Sequence, residues 1–374
     1  MPAVQRVGET FIAEEPKALV LAEGFRFAHG QVIAPFTIVY ETFGTLNDDR
    51  SNAILVCHAL SASAHAAGKY SDATHEKPGW WDGLIGYGKP IDLEKDFVIC
   101  VNLPGSPFGT TAPKSVDPMT GTPYGSRYPW PTIEDMVESQ KRVLEHLGIT
   151  RLRAIAGGSL GGMQVLMWCA MYPEAAESVI AMASGPAVPV TGIAWHILGR
   201  KIIEADQCFN GGDYYGTADY RDHGETLRGL QVARMLGHMT YLSPESLQRK
   251  FGRRRRGHTR QFEIDSYFEY QGKKFAALYD ANSYIRVQAA MDEMDLTEQY
   301  GDLQSAFARW RGRTLLVSFD TDWLFPMTES ERIAVAMRDL GVDVRHEQVS
   351  SPNGHDTFLI DFPLIDGLVR SFLY

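Results

Sequence analysis

The stretch Leu152-Arg153-Ala154-Ile155-Ala156-Gly157-Gly158-Ser159-Leu160-Gly161-Gly162-Met163 decides how this chain is read. Leu152–Ala156 is an apolar run of the kind that forms a buried strand, and a helical pattern runs from Gly162 to about Tyr172. Between them Gly157-Gly158-Ser159-Leu160-Gly161 spells G-x-S-x-G. A serine on a sharp strand-to-helix turn projects its hydroxyl above the sheet. Glycines are needed on both sides, because a β-carbon there would strike the neighbouring strand or helix. Outside that context the same five residues are only a glycine-rich turn with an exposed serine.

Working outward, strand and helix signals alternate. Val32–Thr42 is rich in β-branched and aromatic residues and predicts one long strand. Ala53–Cys57, Phe97–Asn102 and Ser178–Ala183 read as strands, the short apolar runs among them as strands buried on both faces. Ile133–Leu147 carries apolar residues at helical spacing, and Gly148 ends it. From about Gly185 to about Tyr300 the periodicity is helical, with candidate helices at Trp195–Ala205, Glu225–Thr240 and Ala281–Glu293. The alternation then returns with strand Thr314–Phe319, helix Thr328–Leu340, strand Val344–Val349 and a closing helix Phe358–Tyr374. This order predicts an α/β fold: a mostly parallel central sheet with helices on both faces. It divides the chain into a core (1–184), an inserted helical lid (185–300) and the rest of the core (301–374).

The 374 residues are 44% hydrophobic and 22% charged, an ordinary globular composition. There are 36 Lys and Arg against 46 Asp and Glu, a net charge of −10, which excludes binding of nucleic acid or an anionic membrane through bulk charge. The basic run Arg253–Arg256 reads as a solvated face. Cys57, Cys100, Cys169 and Cys208 are scattered, with no spacing for a disulfide framework or a metal site, and the first three lie in apolar segments that suit buried thiols. No metal and no resident cofactor is expected. With no signal-like apolar region at the N-terminus and no stretch long enough to cross a bilayer, a cytoplasmic location is the expectation.

A serine hydroxyl needs a base, and the base needs a third group to fix its tautomer. Asp322 follows the strand Thr314–Phe319, and His355 sits on a glycine-bearing loop after Val344–Val349. The order Ser159, Asp322, His355 is the one the α/β-hydrolase architecture uses. Asp320 competes for the acid on spacing alone. The expected oxyanion donors are the backbone N–H groups of Leu160, after the nucleophile, and Leu60, on the loop after Ala53–Cys57. His58 on that loop reads as structural.

Longer motifs surround these residues. They include Tyr40-Glu41-Thr42-Phe43-Gly44, His58-Ala59-Leu60-Ser61, Gly79-Trp80-Trp81-Asp82, the elbow extended to Gly162-Met163-Gln164, Asp280-Ala281-Asn282-Ser283-Tyr284, Thr321-Asp322-Trp323-Leu324-Phe325-Pro326 and Gly354-His355-Asp356-Thr357-Phe358-Leu359. Through them the chain resembles the homoserine O-acetyltransferase family, the homoserine O-acyltransferases of the α/β-hydrolase fold. The resemblance implies that Ser159 takes an acetyl group from acetyl-CoA in a ping-pong cycle, with His355 as base and Asp322, rather than Asp320, orienting it. It implies that Ser61, Arg234, Tyr241 and Asp356 bind the amino acid, in a cytoplasmic homodimer paired through the lid and serving methionine biosynthesis. Arg234 and Tyr241 are seven residues apart, two turns of one helix face. Arg234 suits a carboxylate and Asp356 an ammonium; the plainer alternatives are a surface ion pair for Arg234 and a helix cap for Asp356.

The chain departs from the family at Ala62, usually glycine, and at Asn102-Leu103-Pro104-Gly105-Ser106-Pro107, usually Asn-Val-x-Gly-Gly-Cys. Both departures fall where the acyl pocket and oxyanion hole are expected, so the acyl group (acetyl or succinyl) and the acceptor (homoserine or another hydroxyl, such as that of serine) stay open. A serine esterase or thioesterase would use the same three side chains, since water and an alcohol attack an acyl-serine alike. A non-enzymatic binding protein is disfavoured by the complete Ser159, Asp322 and His355 set.

Overall fold

The computed structural model describes residues 6–7, 10–73, 75–222 and 226–374. Eight strands form the main sheet: β1 (Lys17–Leu21), β2 (Phe36–Phe43), β3 (Ala53–Cys57), β4 (Phe97–Val101), β5 (Ala154–Gly158), β6 (Ser178–Met182), β7 (Arg313–Phe319) and β8 (Val344–Val349). Their spatial order is β1-β2-β4-β3-β5-β6-β7-β8. Every neighbouring pair is parallel except β1–β2 and β2–β4, so β2 alone runs against the rest.

Period-two alternation explains why central strands are apolar throughout. In β3, Ala53, Leu55 and Cys57 enter the core on one face, while Ile54 and Val56 enter the core on the other. Helices α1 (Ile133–His146), α2 (Leu160–Met171) and α7 (Met327–Asp339) cover the first face. Helix α9 (Phe362–Leu373) packs Ile365, Val369 and Phe372 onto the second. α1 begins at a capping box, in which Thr132 and Asp135 satisfy each other's backbone N–H groups. Cys57, Cys100 and Cys169 are buried free thiols.

Between β6 and β7 the chain supplies helices to one end of the sheet. Among them are α3 (Val190–Glu204), α4 (Arg228–Tyr241), α5 (Glu263–Ala276) and α6 (Ala281–Glu293). The expected helix Glu225–Thr240 begins at Arg228, and residue 225 lies outside the described residues. The Arg253–Arg256 run is exposed, with Arg254 paired to Glu263 at 2.7 Å. Among the described residues no helix is long and apolar enough to cross a membrane, and no cluster of side chains could hold a metal ion.

Two expected elements are broken. Val32–Thr42 is two pieces: Val32–Ile33 pairs with Phe25–Arg26, and the sheet strand starts at Phe36. Pro35 lies between them, with no N–H to give a ladder. The closing helix is likewise two helices, α8 (Thr357–Ile360) and α9, parted at Asp361 (φ −123°, ψ 59°) just before Pro363. Pro363 has no N–H to give the Leu359 carbonyl, as one continuous helix would need, and it sits in the first turn of α9, where that hydrogen is not required.

Candidate active site

Ser159 sits between β5 and α2 with φ 56° and ψ −124°, a conformation a side-chain-bearing residue adopts only when its surroundings enforce it. The flanking glycines make that possible. A β-carbon on Gly157 would come within 2.5 Å of the Gly161 carbonyl, and one on Gly162 within 2.5 Å of Ser184 Cβ. One on Gly161 would collide with the Cys57 carbonyl oxygen, and one on Gly158 with the Phe358 ring. The Ser159 N–H donates to the Met182 carbonyl at 2.9 Å, tying the turn to β6.

Loops after β7 and β8 bring the partners. His355 Nε2 lies 2.8 Å from Ser159 Oγ, and His355 Nδ1 lies 2.8 Å from Asp322 Oδ2. An ionised carboxylate only accepts, so Nδ1 carries the hydrogen and Nε2 is left to receive the serine proton. Asp322 is itself fixed: its Oδ1 accepts from the Leu324 and Phe325 N–H groups at 3.0 and 2.9 Å. Asp320 is occupied elsewhere, accepting from Ser350 Oγ at 2.7 Å and Ser351 N–H at 2.9 Å. Burial opposes a charged His355, but the Asp322 charge and hydrogen bond, with Asp356 behind, outweigh it and lift the imidazole pKa above its ordinary value.

Of the two expected oxyanion donors, Leu160 directly follows the serine and Leu60 lines the same cavity as Ser159. Leu160 opens α2, where a first-turn N–H has no partner inside the helix. Leu60 lies on the loop after β3, and among the described residues neither N–H meets an acceptor. A buried chain holds that loop: Trp168 Nε1 donates to Gln140 (2.7 Å), Gln140 Nε2 to Gln164 (2.6 Å), and Gln164 Nε2 to the His58 carbonyl (3.2 Å). From the helical segment, Tyr279 OH donates to the Leu60 carbonyl at 2.8 Å. Among the described residues the His58 side chain bonds only its own loop, Nδ1 to the Ala59 carbonyl at 2.9 Å, and burial lowers its pKa to about 4, which suits a structural part.

Helix α4 lays Arg234 and Tyr241 over this arrangement. A cavity of about 70 Å³ is lined by Leu60, Ser61, Ser159, Arg234, Tyr241 and Asp356, among others. Arg234 makes no surface ion pair among the described residues. Its guanidinium stacks on Phe275 (4.5 Å) and Tyr241 (5.0 Å), and its Nη1 is buried without a hydrogen-bond partner. Asp356 leads into α8, yet its side chain makes no cap hydrogen bond. Burial pushes its carboxyl up, against the pull of His355 and Arg234. Gly354 joins the two parts: with φ 71°, it lets the His355 loop press on the end of α4, where a β-carbon would lie 2.7 Å from Ser243 N.

Ala62 and the Asn102–Pro107 stretch do not line the cavity. Asn102 instead braces the neighbouring loop, accepting from Ala64 N–H at 2.7 Å and donating to the Phe108 carbonyl at 2.8 Å. Asn102 thus supports the loop that follows the Leu60 segment. Tyr279 and His196, the latter also on the cavity wall, were not singled out by sequence reasoning. The aromatic-acid stretch Tyr279-Asp280 was the nearest signal for the first; an isolated histidine in a helix gave none for the second.

Residues 52–362 match the family model of the α/β hydrolase fold. A homoserine O-succinyltransferase of Leptothrix cholodnii is 45% identical over 92% of this chain and 92% of its own. The crystal structure of a homoserine O-acetyltransferase from Bacillus anthracis superposes with a TM-score of 0.87 at 29% identity, covering 96% of this chain and 97% of that one. Esterase E22 superposes with a TM-score of 0.86 at 28% identity, covering 96% of this chain and all (100%) of that one. With the Ser159, His355 and Asp322 geometry under a helical cover, these likenesses place the chain in the homoserine O-acyltransferase family of the α/β hydrolase fold.

Proposed function

We propose that the protein transfers an acyl group from an acyl-CoA to the hydroxyl of L-homoserine through an acyl-Ser159 intermediate. The observation that carries this reading is the buried, unpartnered Arg234 Nη1 in the same small cavity as Ser159 and Asp356. A buried guanidinium left unsatisfied is costly, and an α-carboxylate supplies its missing acceptor. Asp356 offers the opposite charge for an α-ammonium, so the cavity suits a zwitterion with a hydroxyl.

In the first half-reaction Ser159 Oγ attacks the thioester carbonyl as its proton passes to His355 Nε2. The tetrahedral oxyanion takes hydrogen bonds from the Leu60 and Leu160 N–H groups. The C–S bond breaks, and the thiolate leaves as a thiol with the proton from His355. In the second, His355 removes the acceptor hydroxyl proton, that oxygen attacks the acyl-serine carbonyl, and the Ser159 C–O bond breaks as His355 returns the proton to Oγ. Asp322 holds the ring and stabilises its charge throughout.

The Leptothrix relative favours a succinyl donor and the Bacillus structure an acetyl donor. The likeness to esterase E22 favours a second reading, in which water discharges the same intermediate. Release of CoA thiol from acetyl-CoA or succinyl-CoA, measured with and without homoserine, decides. Release that depends on homoserine supports transfer, the donor giving the higher kcat/KM being the natural one of the pair. Equal multi-turnover release without homoserine would establish a hydrolase.

A further inference from the structure

His196 projects from α3 into the cavity that holds Ser159, Arg234 and Asp356. Its Nδ1 is 2.5 Å from Asp292 Oδ1, and the other oxygen of Asp292 takes Arg200 Nη1 at 2.6 Å. A carboxylate accepts and does not donate, so the imidazole hydrogen belongs on Nδ1. In the neutral ring this leaves Nε2 a bare lone pair, its direction set by Asp292. Among the described residues Nε2 has no hydrogen-bond partner.

A ligand that fills the cavity and displaces water from this atom has to bring a donor. His196 lines the same cavity as Ser159, Arg234 and Asp356, so an acceptor held by those residues lies beside its ring. An acetyl or succinyl group carries no N–H or O–H to offer. On homoserine the hydroxyl is committed to His355 and the carboxylate only accepts. Once CoA has left, the α-ammonium is the remaining donor for the transfer step, with three N–H groups that Asp356 alone does not exhaust.

We propose that His196 is a substrate-binding residue whose Nε2 accepts a hydrogen bond from the α-ammonium of the acceptor, beside Asp356. This rests on the transfer reading above. It makes the Arg200–Asp292–His196 chain the element that selects an amino acid over a hydroxy acid lacking the amino group.

The test uses the full chain with His196→Leu and His196→Gln. Glutamine keeps an N–H for Asp292 and an oxygen for the ammonium. Three quantities are read: the rate of Ser159 acylation by acetyl-CoA and by succinyl-CoA without acceptor, the KM for homoserine, and the preference for homoserine over 4-hydroxybutyrate. In His196→Leu, acylation stays within about 2-fold while the homoserine KM rises on the order of 10-fold, the loss expected for one hydrogen bond to a charged group. The preference over 4-hydroxybutyrate falls by a similar factor, and His196→Gln recovers part of both. Normal acylation with an unchanged KM and preference would overturn the assignment. So would a loss confined to acylation by succinyl-CoA, which would set His196 against the acyl chain. An unaltered chain that forms no acyl-enzyme would remove the transfer reading and this inference together.

Discussion

The strand-end core and the helical cover solve different problems with different materials. In the core, backbone does most of the work. The Ser159 turn, the glycines around it and the loops after β7 and β8 fix three side chains to 2.8 Å contacts. In the cover, side chains do the work: Arg234 lies on aromatic rings, Tyr279 reaches down to Leu60, and His196 is aimed by Asp292. The core is built for any acyl-serine chemistry, whereas the cover adds Arg234 and His196, which on the proposed function help select one acceptor. Substitutions in the core should therefore damage both half-reactions, and those at Arg234 in the cover chiefly the second.

Ser159→Ala tests the core most severely. It should lower kcat by on the order of 10⁶-fold while thermal unfolding stays close to that of the parent. Substantial residual turnover would mean another nucleophile. Asp322→Asn should cost about 10⁴-fold in kcat, because the ring loses its tautomer and the support for its charge. The pH profile sharpens this. In the parent the raised His355 pKa keeps the ring protonated to higher pH than a free histidine, so the acid limb of kcat/KM should lie above ~6.5. Without the Asp322 charge, burial is opposed only by Asp356 and the limb should move down. A limb that stays in place would detach Asp322 from the base.

The cover gives smaller and more selective effects. Arg234→Lys should raise the homoserine KM by roughly 30-fold and leave that of the acyl donor nearly unchanged, since one ammonium cannot replace a two-pronged guanidinium. Equal changes in both constants would break the division between the two regions. Tyr279→Phe removes one hydrogen bond, worth about 1 kcal/mol, from the loop carrying Leu60. It should lower kcat by roughly 5-fold and, alone among the cover changes, slow acylation as well as transfer. An unaltered acylation rate would show that Leu60 holds its place without help from above.

The same division explains what could be read in the sequence. The elbow, the strand ends and the order of Ser159, Asp322 and His355 were legible because glycine requirements and short apolar runs are local. Choosing Asp322 over Asp320 needed the family likeness; in space it follows from Asp320 being taken up by Ser350 and Ser351. Arg234 and Tyr241 were legible through the family likeness and their helical spacing. His196 and Asp292 are 96 residues apart in the chain, and no spacing rule joins them. The prolines of Asn102–Pro107 mark a tight loop without saying what it supports; in space Asn102 braces Ala64 and Phe108. Pro35 and Asp361 broke elements that periodicity alone read as continuous.

The claim on which the rest depends is that an acyl group passes through Ser159. Intact-mass measurement of the full chain after brief exposure to acetyl-CoA or succinyl-CoA tests it directly. The expected result is an increase of one acetyl or one succinyl unit, absent in Ser159→Ala, that disappears on adding homoserine as O-acylhomoserine forms. No added mass with either donor, alongside undiminished O-acylhomoserine production, would contradict the account.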